Sequence, residues 1–103
     1  MAYGSALAVL ADPTRRTVFE RLRQGPRAVN VIAAGLPVSR PAVSQHLKVL
    51  KDAGLVEERS EGVRRIYSLR HEGLMELRDW LDGFWSESFE AFRAEVEKPR
   101  SET

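Results

Sequence analysis

Between Ser39 and Leu50 the apolar residues Val43, Leu47 and Leu50 fall at i, i+4 and i+7, which is one stripe along a helix. Ser39 is placed to cap that helix and Pro41 falls in its first turn, where a missing backbone donor costs little. The opposite side displays Pro41, Gln45 and Lys48, flanked by Arg40 and Ser44, with no acid before Asp52. Three shorter helices are expected upstream. Ala6–Ala11 has the length of about two turns and is too apolar to stand alone. Asp12-Pro13 opens a second helix running to Arg23, with Val18, Phe19 and Leu22 inward and Gly25-Pro26 as its stop. A third spans Ala28–Ala34 and ends at Gly35. The short connection Leu36-Pro37-Val38 then joins it to the polar-faced helix as a helix-turn-helix.

After Ala53-Gly54 the period changes. Leu55–Arg59 and Val63–Leu69 have strand character, and Ser60-Glu61-Gly62 between them is expected to turn a hairpin. Val63, Arg65, Tyr67 and Leu69 would share one face, with Arg64, Ile66 and Ser68 on the other. A hairpin in this position is a wing, with Arg64 and Arg65 near its tip. Helical spacing returns from about Glu72 to Glu97, with Leu74, Met75, Leu77, Trp80, Leu81, Phe84, Trp85, Phe89, Phe92 and Val96 along it. Both tryptophans and three of the four phenylalanines lie in this stretch. That is more apolar surface than one helix buries against so small a body, so pairing with a symmetry mate is expected. Two other readings stay open: a wholly intrachain core, and a small-molecule effector held among Trp80, Phe84 and Trp85. The whole is a mainly α fold with a small β-hairpin, in the order α-α-α-α-β-β-α. A single domain over residues 1–98 is expected, with a disordered tail at 99–103.

Charge changes the picture only when divided along the chain. The net value is +1, but Pro13–Arg70 holds 12 Lys and Arg against 5 Asp and Glu, a balance of +7. His71–Thr103 holds 4 against 9, a balance of −5. A basic body points to a polyanion, and the acidic segment to a surface kept away from it. Arg15, Arg16, Arg21 and Arg23 are read as a solvated cationic face, with phosphate contact as the alternative. No apolar run approaches the ~20 residues of a membrane span, so a cytoplasmic protein is expected.

Candidate chemistry is sparse. Cysteine is absent, and His46 and His71 stand 25 residues apart, so neither a thiolate site nor a local histidine cluster can form. Gly25, Gly35, Gly54 and Gly62 punctuate elements and build no phosphate loop. Asp79 and Asp82 have no nucleophile or base beside them. An enzyme and a bound cofactor are not expected.

The runs Ala11–Arg16, Val38–Leu50 with Ala53-Gly54-Leu55-Val56, and Gly62–Leu69 closely resemble the arsenic-repressor-like (ArsR-type) bacterial transcription regulators over residues 6 to 85. The resemblance implies a winged helix-turn-helix homodimer that binds a palindromic operator in double-stranded DNA and usually represses, and the protein's own promoter is one candidate target. It places Ser39, Arg40, Ser44, Gln45, Arg64 and Arg65 against DNA, and the polar face of the helix adds Pro41 and Lys48 as candidates. The first and last helices would form the seam through Leu7, Leu10, Leu74, Leu77, Leu81, Phe84, Trp85 and Phe89. Metal-sensing members have a cysteine pair in the third helix, or His and acidic ligands along the last. Here the third helix reads Val29-Asn30-Val31-Ile32, so metal and thiol sensing do not transfer. The alternative function is a winged-helix protein-interaction module that does not bind DNA.

Overall fold

The computed structural model describes residues 3–98, with side chains from Ala6 onward. The tail expected at 99–103 lies outside the described residues. Five helices and three strands follow in the order α1 (Tyr3–Val9), α2 (Pro13–Glu20), β1 (Arg27–Ala28), α3 (Val29–Ala33), α4 (Arg40–Asp52), β2 (Val56–Glu61), β3 (Arg64–Leu69) and α5 (His71–Glu97).

Helix starts are set by the capping residues. Asp12 accepts from the Arg15 backbone N–H at 3.0 Å, and Ser39 Oγ accepts from that of Ala42 at 3.2 Å. The end of α4 is a Schellman turn. Gly54 takes a φ of 79°, its N–H bonds the Lys51 carbonyl at 2.9 Å, and the Leu55 N–H bonds that of Leu50 at 3.0 Å. Leu50 and Leu55, the two residues such a turn brings together, are both fully buried.

One apolar cluster joins the first four helices to the sheet. Val18, Leu22, Ile32, Val43, Leu47, Leu50 and Leu55 are at its centre, with Val56 and Tyr67 from the strands. Phe19 is only half-buried at its edge. The sheet has three antiparallel strands in the order β1-β3-β2. The two-residue strand β1 pairs Arg27 with Tyr67 and Ala28 with Ile66, and both Ala28 and Ile66 are buried.

The wing turns two residues later than expected. Glu61 pairs with Arg64, so the loop is Gly62-Val63 alone, with φ of 64° at Gly62 and no positive φ at Val63. A positive φ at only the first central residue is what a type II′ hairpin demands, and glycine adopts it without strain. Val63, expected on a strand, stands fully exposed at the tip.

Three of the four arginines of the second helical segment are not a free cationic face. Arg15 donates to the Val9 carbonyl and Arg16 to that of Leu10, both at 3.2 Å, closing the end of α1. Arg21 donates to the Ile32 carbonyl at 2.9 Å and also to that of Ala34, closing the end of α3. These cations satisfy carbonyls that a helix end leaves without partners.

Helix α5 continues for 27 residues, roughly 40 Å at the usual rise. Among the described residues its buried and half-buried positions all lie in the first two turns, and Gly73 is the one that is buried. From Arg78 to Lys98 every side chain is exposed. The molecule is therefore elongated, 73 × 27 × 23 Å.

Candidate nucleic-acid interface

Helix α4 buries Val43, Leu47 and Leu50 completely, and this fixes which way its other residues point. Ser39, Arg40, Pro41, Ser44, Gln45 and Lys48 are all exposed, while His46 is half-buried beside the apolar stripe. Hydroxyls, an amide and cations on one outward face can donate to phosphate and read base edges. The face is not wholly without acid. Lys48 Nζ lies 3.1 Å from an Asp52 oxygen, an exposed i,i+4 pair worth a few tenths of a kcal/mol and broken at little cost by a competing anion.

The wing closes on this face and leaves two clefts. The larger, about 450 Å³, runs between the start of α4 and the hairpin and is lined by Arg40, Ser44, Arg64 and Arg65, together with Asn30 of α3. Asn30 is a candidate contact that the amphipathic pattern did not single out, because it lies on a helix too short to show a face. The second cleft, about 280 Å³, holds Ser44, Gln45 and Lys48 on one wall and Glu58, Arg65 and Tyr67 on the other. Strand pairing explains the division. Glu58 lies opposite Tyr67 and Ser60 opposite Arg65, so all four share the face toward α4. Arg64 lies opposite Glu61 on the other face, which it shares with Arg59.

Within the second cleft Glu58 is the hub. Lys51 Nζ donates to its Oε1 at 2.7 Å, and Arg65 Nη1 lies 3.7 Å from Oε2. The Lys51 ammonium holds the Glu58 carboxyl below the ordinary range of a glutamate, and the carboxylate in turn raises Lys51. Burial first, and then the adjoining carboxylate, pushes the Tyr67 phenol up.

The residues expected at a seam divide into two sets. Leu10 packs in part against the core, Leu74 and Leu77 are half-buried, and Leu7 is exposed on α1, which lies against α5. Leu81, Phe84, Trp85 and Phe89 are exposed to between 49 and 66%, and Phe92 and Val96 extend the same apolar surface. Rings pair along the helix at i,i+4, Trp80 with Phe84 at 6.0 Å and Trp85 with Phe89 at 4.8 Å. Among the described residues no group of three His, Cys, Asp or Glu is placed to hold a metal ion. Nor is any helix among them long and apolar enough to cross a membrane.

Comparison with known proteins agrees with this architecture. Residues 10–59 match the model of a helix-turn-helix domain family. The chain is 50% identical over 98 residues to the HTH-type transcriptional regulator Rv2034 of Mycobacterium tuberculosis, covering 95% of this chain and 92% of that protein. A crystal structure of a possible transcriptional regulator for arsenical resistance shares 42% identity with a TM-score of 0.72, covering 95% of this chain and 98% of its own. The homodimeric winged helix-turn-helix DNA-binding domain of a possible ArsR-family regulator from Mycobacterium bovis shares 32% identity with a TM-score of 0.65, covering 85% of this chain and 82% of that one. With a relative half identical over nearly its whole length, and with this wing and this helix-turn-helix, the chain belongs to the ArsR-type winged helix-turn-helix transcriptional regulators.

Proposed function

We propose that the protein is a homodimeric repressor that binds a palindromic operator, with α4 in the major groove and the wing against the adjoining backbone. The observation that supports this most directly is the exposed face of α4. Six side chains able to donate to or pack on DNA stand together there, over a helix whose opposite face is locked into the core. Ser39, Arg40, Ser44 and Lys48 suit phosphate and groove-edge contacts, and Pro41 packs at the helix start. Gln45, midway along, suits bidentate pairing with adenine. Arg64 and Arg65 supply the wing's cations. Leu7, Leu74, Leu77, Leu81, Phe84, Trp85 and Phe89 supply the twofold seam, with Leu10 behind them.

Selection from a pool of random duplexes with the full chain tests the reading. The expected product is an inverted repeat with half-sites about 10 base pairs apart, one helical turn. Gln45→Ala should reduce the preference for that product by about 1–3 kcal/mol while leaving the salt dependence nearly intact. The fragment upstream of the protein's own gene is the first natural duplex to try. A protein-interaction module would enrich no sequence and would elute early from heparin at low salt.

A further inference from the structure

An acid on a surface that approaches phosphate is ordinarily a liability, because it repels the polyanion and adds no contact. Glu58 sits there nonetheless. Its side chain is 23% exposed, at the floor of the cleft between α4 and the wing, opposite Gln45. Its two oxygens are divided, one on Lys51 at the end of α4 and the other toward Arg65 on β3. Behind it Tyr67 is only 4% exposed, so the carboxylate rests on a fixed wall. Strand pairing keeps Arg65 on this face and sends Arg64 to the other, where among the described residues it forms no ion pair. Arg65 is 69% exposed and its contact to Glu58 is an ion pair beyond hydrogen-bond distance, so the carboxylate biases where the guanidinium sits without locking it, whereas Arg64 has no such bias.

We propose that Glu58 is a positioning residue that draws Arg65 toward the cleft it shares with Gln45 and so sharpens how well the interface distinguishes one DNA sequence from another. Arg65 then reads alongside α4, and Arg64 serves phosphate only. This rests on the DNA-binding role proposed above.

The sign of one substitution separates this role from simple electrostatics. Glu58→Gln keeps the side chain's shape and removes a negative charge, which by itself tightens binding to every duplex alike. Titrations with the full chain would use a duplex selected by the wild-type protein and a scrambled version of it. The expected result is that Glu58→Gln binds the scrambled duplex as well as before or better, while the ratio between the two duplexes falls about two- to fivefold. In an Arg65→Ala background the same change should leave the ratio where Arg65→Ala put it. Arg64→Ala should weaken both duplexes equally. Arg65→Lys, an exposed change that keeps the charge and loses the fork, should lower the ratio as Glu58→Gln does and serves should the latter not fold. An unchanged ratio in Glu58→Gln or in Arg65→Lys, or effects of Glu58 and Arg65 that multiply, would overturn the proposal. If the wild-type protein itself prefers no duplex, the DNA-reading role fails and this proposal falls with it.

Discussion

Two glycines in α5 show how one residue type acquires opposite meanings from its surroundings. A Cβ built on Gly73 would lie 2.0 Å from the Gly54 carbonyl oxygen and 3.6 Å from Leu55 Cα, where α5 starts against the turn that ends α4. Backbone atoms cannot swing aside as a side chain can. Gly73→Ala would gain about 1 kcal/mol of helix propensity, but overpacking of this kind costs about 1–3 kcal/mol and more against rigid backbone. The expected outcome is a lower urea midpoint with a loosened docking of α5. Gly83, on the same helix, has nothing within 4 Å and lies roughly 180° around the axis from Leu74, on the side away from the apolar stripe. Gly83→Ala should therefore raise the midpoint, by about 0.5–1 kcal/mol of stability. None of this is legible in the chain itself, where both are isolated glycines in a helical pattern. A close approach between elements far apart in sequence has no local periodicity to announce it. The same holds for Arg21, whose partners Ile32 and Ala34 lie more than ten residues away and turn an apparent surface cation into a helix clasp.

Single elements were more readable, to the extent that their ends and faces are local matters. Asp12-Pro13 and Ser39-x-Pro41 locate two helix starts because capping is a short-range hydrogen bond, and the 3.6 period of Val43, Leu47 and Leu50 locates the buried face of α4. The candidate site residues on α4 could be named for the same reason, since burying one stripe determines what the opposite stripe displays. Polarity alone points to a three-residue turn at Ser60-Glu61-Gly62, whereas matching the twist of two strands selects the two-residue Gly62-Val63 loop. Strand β1 was invisible, two residues being too few to show alternation. At this scale α2 has a pH dependence of its own. The Arg15 backbone N–H lowers the Asp12 carboxyl below its ordinary value. A depressed folded pKa contributes stability that is present above the unfolded value and lost as pH falls through the folded one. Asparagine caps equally well without titrating. Urea midpoints taken from neutral to acid pH should thus fall less steeply for Asp12→Asn than for wild type, and parallel curves would show that the cap has no part in acid unfolding.

At the scale of the whole molecule the question is what covers α5. Its apolar positions do not form one straight stripe. At about 100° per residue, Leu77, Trp80, Leu81 and Phe84 centre on one line, and Trp85, Phe89, Phe92 and Val96 on another roughly a quarter-turn around the axis. A partner helix that crosses α5 and wraps it can cover both, as a twofold mate would. The energies make such a seam sufficient but not generous. Leu81, Phe84, Trp85, Phe89, Phe92 and Val96 are each about half or more exposed. Burying the exposed part of these six on two copies is worth about 11–21 kcal/mol at roughly 1.5–3 kcal/mol per whole side chain. Association itself costs about 4–15 kcal/mol. With so narrow a margin, Leu81→Glu with Phe84→Glu, which deletes two of the six on each copy and places four carboxylates in the seam, should abolish the dimer at micromolar concentration. Ala94→Glu adds one carboxylate to each copy roughly opposite the seam and should leave association unchanged. Sedimentation velocity reads both, with helix content by circular dichroism reporting whether α5 survives alone. A folded dimer for the double variant would mean that α5 is not what joins the copies. The proposed twofold operator would then have to be matched by some other surface of the protein.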